Sequence, residues 1–228
     1  MRGGLVGLMV SLVLATAAGA FTDATLIEDC AGTADPLAGS WGGKVLSGHT
    51  NQLKSTGGTC TRSSAGGAGT GSSYWNGATY QNVAVSLTVT DATSTGDNDV
   101  SIFVRVANPG VSSQVNGYIC AFRPNGTNVV ELFRIDSSTI SAPLATTTNA
   151  AFDVNDGHKI GCEMIGSTLK AYVDVGAGWV EALSTTDSTY TAAGNIAVRM
   201  ATSNHVIDTI GAQAVVASGA QRRPLFSP

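Results

Sequence analysis

Hydrolysis of a glycosidic bond needs two carboxylates, one to protonate the leaving oxygen and one to act as base or nucleophile, about 5 to 5.5 Å apart in retaining enzymes. The nearest approach in this chain is Glu131-Leu132-Phe133-Arg134-Ile135-Asp136. Its two carboxylates are an odd number of positions apart, so a regular strand turns them to opposite faces. Glu163 stands singly between Cys162 and Met164, and a solvated strand face accounts for it. Nucleophilic serine chemistry finds no Gly-x-Ser-x-Gly elbow. These carboxylates are therefore expected to be surface groups, and no catalytic residue is assigned.

Binding chemistry has more to work with. Trp41, Tyr74, Trp75, Tyr80, Trp179 and Tyr190 are read as lying in or beside loops. Aromatic rings stack on the apolar faces of sugars beside polar donors such as Asn76. The candidate ligand residues are Trp75, Tyr74, Asn76, Trp179 and Tyr190, although core or sheet-edge packing would equally explain Trp41 and Trp75. Asp97-Asn98-Asp99 offers carboxylates to a Ca2+ ion, with Asp97 and Asp99 as candidate ligands. Ca2+ takes 6–8 oxygens, and one turn supplies too few; no cofactor is expected apart from that candidate.

The four cysteines allow three pairings. No Cys-x-x-Cys occurs, and the histidines at 49, 158 and 205 are scattered, which disfavours zinc. In an oxidising compartment Cys30 with Cys60 is the preferred bridge, because both precede the main strands. Cys120 and Cys162 fall inside strands and fit equally well as buried thiols.

The elements that must position these groups are strands. Ile160/Cys162/Met164 and Leu169/Ala171/Val173 are two period-2 runs joined at Gly166-Ser167, and a second reversal follows between Asp174 and Trp179. Val83/Val85/Leu87/Val89 and Val100/Ile102/Val104/Val106 read as a hairpin turning at Gly96 to Asp99. Gly117 to Arg123 and Val129 to Ile135 read as another, turning at Asn125-Gly126. Further strands are expected near Ala24 to Ile27, Asn195 to Met200 and Val206 to Val215. Residues 55 to 73, rich in Gly, Ser and Thr, read as loop or short turns. His158 and His205 begin strands, at capping or exposed positions.

With 228 residues, 43% hydrophobic, 28 glycines and a net charge of -4, the chain suits one large all-β domain and has no basic footprint for nucleic acid. Residues 1–20 carry Arg2, an apolar run from Leu5 to Ala15 and the small residues Ala18-Gly19-Ala20. They read as a secretory leader or an apolar N-terminal segment, too short for a membrane span of roughly 20 residues. Residues 21–216 are read as the domain and 217–228 as a flexible tail.

Several pieces, in order, resemble one family. Glu28-Asp29, Asp35-Pro36-Leu37 and Gly39-Ser40-Trp41 look like its opening. Ser73-Tyr74-Trp75-Asn76, Gly117-Tyr118-Ile119, Ile165-Gly166-Ser167-Thr168-Leu169, Asp187-Ser188-Thr189-Tyr190, Gly194-Asn195-Ile196 and Ile207-Asp208-Thr209-Ile210-Gly211 follow. The chain thus resembles the concanavalin A-like (laminin G-like) jelly rolls found in phage virion proteins and secreted bacterial proteins. The resemblance implies an all-β sandwich of two antiparallel sheets. It also implies a non-catalytic extracellular or virion-type surface module, glycan-binding or engaged in assembly with copies of itself or other virion or surface proteins. The alternative is a secreted glycoside hydrolase acting on polysaccharide, but the Glu-x-Asp-x-Glu strand of jelly-roll glucanases is absent.

Overall fold

A strand that is apolar at every second position buries one face, so strands of this kind close a core only when two sheets meet. The computed structural model describes residues 20–63, 69–92, 99–123, 128–154, 157–201 and 205–217. The expected leader up to residue 19, Asp97, the Asn125-Gly126 turn and the tail from residue 218 lie outside the described residues.

In chain order the strands are β1 (Leu26–Glu28), β2 (Thr33–Ala34), β3 (Leu53–Thr56), β4 (Cys60–Arg62), β5 (Gly71–Tyr80), β6 (Val83–Ala92), β7 (Val100–Ala107) and β8 (Asn116–Arg123). There follow β9 (Val129–Asp136), β10 (Thr139–Ile140), β11 (Ala145–Thr148), β12 (Lys159–Ile165), β13 (Thr168–Asp174), β14 (Val180–Thr186), β15 (Gly194–Met200) and β16 (His205–Ala214). They form a nine-stranded sheet in the order β14-β13-β12-β6-β16-β4-β3-β2, with β1 also on β16, and a seven-stranded sheet in the order β10-β9-β8-β7-β15-β5, with β11 on β9. Every pairing between these strands is antiparallel. The architecture is an all-β jelly-roll sandwich.

The core follows from the alternation. Val85 and Leu87 of β6, Ile160 and Met164 of β12 and Leu169 of β13 face Ile102, Val104, Phe122, Leu132 and Val198 of the other sheet, all buried. Burial of each such side chain is worth roughly 1.5–3 kcal/mol. The opposite residues of the seven-stranded sheet, Phe103, Ile119, Ala121 and Ala197, are buried too, beneath Val45, Leu46 and Val115 of the covering loops. Two disulfides complete the frame. Cys30–Cys60 ties the end of β1 to β4, and Cys120–Cys162 joins β8 of one sheet to β12 of the other through the core.

Strand positions agree closely with the sequence pattern from β12 onward: β12 pairs with β13 from Lys159↔Asp174 to Ile165↔Thr168, leaving Gly166-Ser167 as the turn. Two expectations are corrected. The runs β6 and β7 are not a hairpin, because β6 pairs with β12 and β16 whereas β7 pairs with β8 and β15. Both bury alternate residues in the same core, and alternation alone cannot tell neighbours in a sheet from strands facing each other across it. The segment 55 to 73 is not wholly loop, since β4 and the start of β5 lie within it. Its small polar residues tolerate burial because their hydroxyls take up backbone donors: Ser72 Oγ accepts Val45 N–H at 3.0 Å and Ser73 Oγ accepts Leu53 N–H at 3.1 Å.

One end of the sandwich is fastened by Arg105, buried and at φ 52° where β7 bulges against both β8 and β15. Its guanidinium donates to Gln81 O (2.5 Å), Tyr190 O (3.0 Å) and Asn82 Oδ1 (3.2 Å), and Asn82 Oδ1 also accepts Gly166 N–H.

The cross-sheet disulfide closes a long loop, so replacing Cys120 and Cys162 together by alanine is expected to cost about 2–5 kcal/mol in urea unfolding without changing far-UV circular dichroism. An unchanged midpoint would show that the two sheets do not depend on it.

Candidate functional site

The structure does not bring the sequence's aromatic and polar candidates together. Tyr74, Trp75 and Asn76 lie on β5 rather than in a loop, and Tyr80 ends that strand. Residues 40–42 run beside them, with Gly42 N–H donating to Tyr74 O and Asn76 N–H to Ser40 O. Trp75 meets Trp41 edge-on, ring centroids 5.4 Å apart, and packs on the core; the Trp41 indole N–H donates to Glu28 Oε2 at 2.9 Å. Tyr74 packs on the cluster beneath the covering loops. Asn76 is exposed.

Tyr190 belongs to a polar network at the Arg105 end. Its hydroxyl donates to Asp136 Oδ1 at 2.6 Å, its N–H to the Tyr118 hydroxyl at 2.9 Å, and Tyr118 donates to Asp187 Oδ1 at 2.9 Å. Arg134 joins both acids, with Nε 2.9 Å from Asp136 and Nη1 2.9 Å from Asp187. Burial pushes Asp187 up, but hydrogen bonds from Thr189, Tyr118 and Arg134 outweigh it and hold the carboxyl at about 2. Hydrogen bonding by the Tyr190 hydroxyl, aided by Arg134, keeps Asp136 low as well, even though burial acts the other way. Burial and then Asp136 push Tyr190 up to about 12. Both acids are therefore ionised at neutral pH, which suits them as acceptors and not as proton donors to a leaving group. A hollow of about 210 Å³ opens beside them, lined by Arg105, Ala107, Asn116, Thr189, Tyr190 and Thr191 among others. Glu131, on the other face of β9, is buried rather than at the surface and is paired with Arg123 at 2.6 Å.

Asp99 does not fit a calcium ligand. Arg199 Nη1 lies 2.5 Å from one of its oxygens and 2.6 Å from the other, which also accepts Ser101 Oγ–H at 2.8 Å. A cation would have to displace a guanidinium. Glu28, Cys30 and Cys60 bring three donor atoms within 4.8 Å of one another. The two sulfurs are already bonded together, however, and Glu28 accepts Cys30 N–H and Trp41 Nε1–H. Close to Arg199, His49 is buried with Nδ1 2.5 Å from Ser72 Oγ. Burial, reinforced by Arg199 and Lys44, lowers its pKa from 6.5 to about 3. His205 opens β16 as expected but is fully buried rather than exposed.

A different grouping forms around Trp179, on the outer face of the nine-stranded sheet. The residues just before β1 cross this face as a strap. Phe21 stacks on Tyr172 of β13 (centroids 4.2 Å, 20°) and meets Trp179 edge-on (4.7 Å, 72°). Asp23 accepts the Trp179 indole N–H at 3.0 Å and pairs with Lys159 Nζ at 2.6 Å. Glu163 shares this face, half-buried and not fully solvated, and accepts the Tyr172 hydroxyl at 3.3 Å. Burial raises its pKa, while Tyr172 and Lys170 pull it back. Burial and then Glu163 push Tyr172 up. The arrangement supplies an aromatic floor, an indole donor, an ammonium and a carboxylate. Sequence reading named Trp179 but missed Phe21, Asp23, Lys159 and Tyr172. The available signal was Gly161, a glycine inside a strong strand pattern, which marks a close approach by another part of the chain.

These sheets and their order define the concanavalin A-like jelly-roll fold. No family model and no curated protein matches the sequence. Solved structures match it by shape. The carbohydrate binding module CBM66 from Bacillus subtilis superposes with a TM-score of 0.58 at 16% identity, over 76% of this chain and 95% of that one. The exoplasmic/lumenal domain of VIP36, in a Ca2+/Man3GlcNAc-bound form, gives 0.57 at 12% identity, over 81% and 86%. The GH43 protein BlXynB from Bacillus licheniformis gives 0.54 at 11% identity over 82% of this chain, but only 39% of its own length is covered. Likeness at these identities concerns the fold.

His49 fixes a pH dependence. The folded ring stays neutral down to about pH 3 while the unfolded ring takes a proton near 6.5, so the unfolded state binds more protons between those values. Stability therefore falls as pH drops through this window, by at most about 1.4 kcal/mol per pH unit from this group. Urea unfolding at pH 6.5 and 4.5 is expected to show that loss in the native protein and a smaller one in His49→Gln. An equal loss in both would place its origin elsewhere.

Proposed function

We propose that this chain is a non-catalytic glycan-binding module acting outside the cytoplasm, with the face around Trp179 as its binding surface. The observation that carries the reading is the convergence of Trp179, Tyr172, Lys159 and Glu163 on one sheet face, the combination of ring and polar groups that a sugar requires. Carbohydrate-binding and lectin domains among the structural neighbours support it, as a likeness of fold. Two disulfides favour an oxidising compartment. The acids of the Tyr190 network, both with lowered pKa and bonded to Arg134, favour binding over hydrolysis.

A glycan array tests the reading. The folded protein is expected to retain at least one glycan class, and Trp179→Ala to weaken that binding tenfold or more with little change in thermal stability. Retention of no glycan, by the intact chain or by variants with the strap loosened, would sink the proposal. Release of reducing sugar from a bound polysaccharide would instead restore the hydrolase alternative.

Calcium enters separately. With Asp99 held by Arg199, binding is expected to survive EDTA unchanged; loss of binding in EDTA, restored by Ca2+, would establish a metal site elsewhere.

A further inference from the structure

The outer face of the nine-stranded sheet carries a trough that runs across the strands. Pairing sets Gly211 of β16 opposite Ser86 of β6, Ser86 opposite Gly161 of β12, and Gly161 opposite Tyr172 of β13. Three minimal side chains thus lie in line and end at a tyrosine ring. The strap fills this trough. A Cβ on Gly211 would come within 2.6 Å of Ala24 O, and one on Gly161 within 2.6 Å of the Phe21 ring. Ala24 N–H donates to Ser86 Oγ at 3.0 Å, so backbone rests directly on the trough floor.

We propose that this trough is the ligand groove and that residues 21–24 are a plug built into it, which a sugar must displace. The proposal rests on the glycan-binding reading above and adds how access to that site is controlled. Ladder pairing of this segment with β16 begins at Leu26, so residues 21–24 can lift away without opening the sheet. What they cover is what a pyranose would use. The Tyr172 face beneath Phe21 would take the apolar side of the ring. Lys159 and the Trp179 indole N–H, now satisfied by Asp23, would take hydroxyl oxygens. Ser86 Oγ, now accepting Ala24 N–H, and the half-buried Glu163 would accept hydroxyl protons. Phe21 thus occupies the place of a sugar ring, and Asp23 that of its oxygens. A ligand that binds only the open form loses affinity in proportion to the fraction of molecules closed.

The test titrates the intact protein, Phe21→Ala, Asp23→Ala and Trp179→Ala with the array's oligosaccharides. Asp23→Ala removes two polar contacts and no buried ring, so it decides the matter should Phe21→Ala fold poorly. Both strap variants are expected to bind at least fivefold more tightly than the intact chain. Hydrogen exchange is expected to show the Ala24 amide, now bonded to Ser86 Oγ, exchanging faster when sugar is added. Binding by the strap variants alone would be the strongest support. If the intact protein binds, Trp179→Ala weakens it, and neither strap variant gains, the plug is overturned and the glycan-binding reading stands. If no variant binds any sugar, both fall.

Discussion

Everything on the outside of this molecule is positioned by the burial of two inner faces against each other. Once Ile160, Cys162 and Met164 of β12 point inward, Lys159, Gly161 and Glu163 must point out. The same parity on β6 and β13 turns Ser86 and Tyr172 outward in line with Gly161. The Cys120–Cys162 bond holds the sheets together at this level of the core. A shift of β12 by one residue would exchange its outward Lys159, Gly161 and Glu163 for apolar side chains, so the register that maintains the core also maintains the trough.

The two outer faces are treated differently. The seven-stranded sheet carries a buried apolar cluster on its outer side as well, roofed by the loops bearing Val45, Leu46 and Val115. The nine-stranded sheet has a mixed outer face, where a small aromatic cluster of Phe21 and Tyr172 lies among charged groups, including the Lys170–Glu181 pair. A roofed apolar layer stabilises; a mixed face crossed by a narrow strap leaves polar atoms near the surface with aromatic support behind them. That contrast is the reason the proposed binding surface is set on the second face.

Much of this frame could be read from the chain. The β12–β13 hairpin was legible because both strands alternate cleanly and Gly166-Ser167 marks the turn. The jelly-roll class followed from the ordered set of short pieces. The placement of β6 and β7 in opposite sheets was not legible, since the same alternation serves both arrangements. The start of β5 was hidden because Gly71, Ser72 and Ser73 are buried through hydroxyl bonding and close packing rather than through hydrophobicity. The strap surface was least visible. Asp23 meets partners at positions 159 and 179, and nothing local to Phe21-Thr22-Asp23 announces such distant contacts. The sequence singles out Trp179 as an aromatic, but its neighbours come from the segment before β1 and from strand faces that only folding brings together.

Arg105 has a consequence for how such a protein can vary over evolutionary time. One guanidinium fastens the turn at Gln81-Asn82 and the loop at Tyr190, and through Asn82 it reaches the turn at Gly166. An insertion in any of those connections would loosen the others, because a single buried cation serves them all. Lineages carrying this arginine should therefore keep that end of the sandwich nearly constant in length and diversify elsewhere.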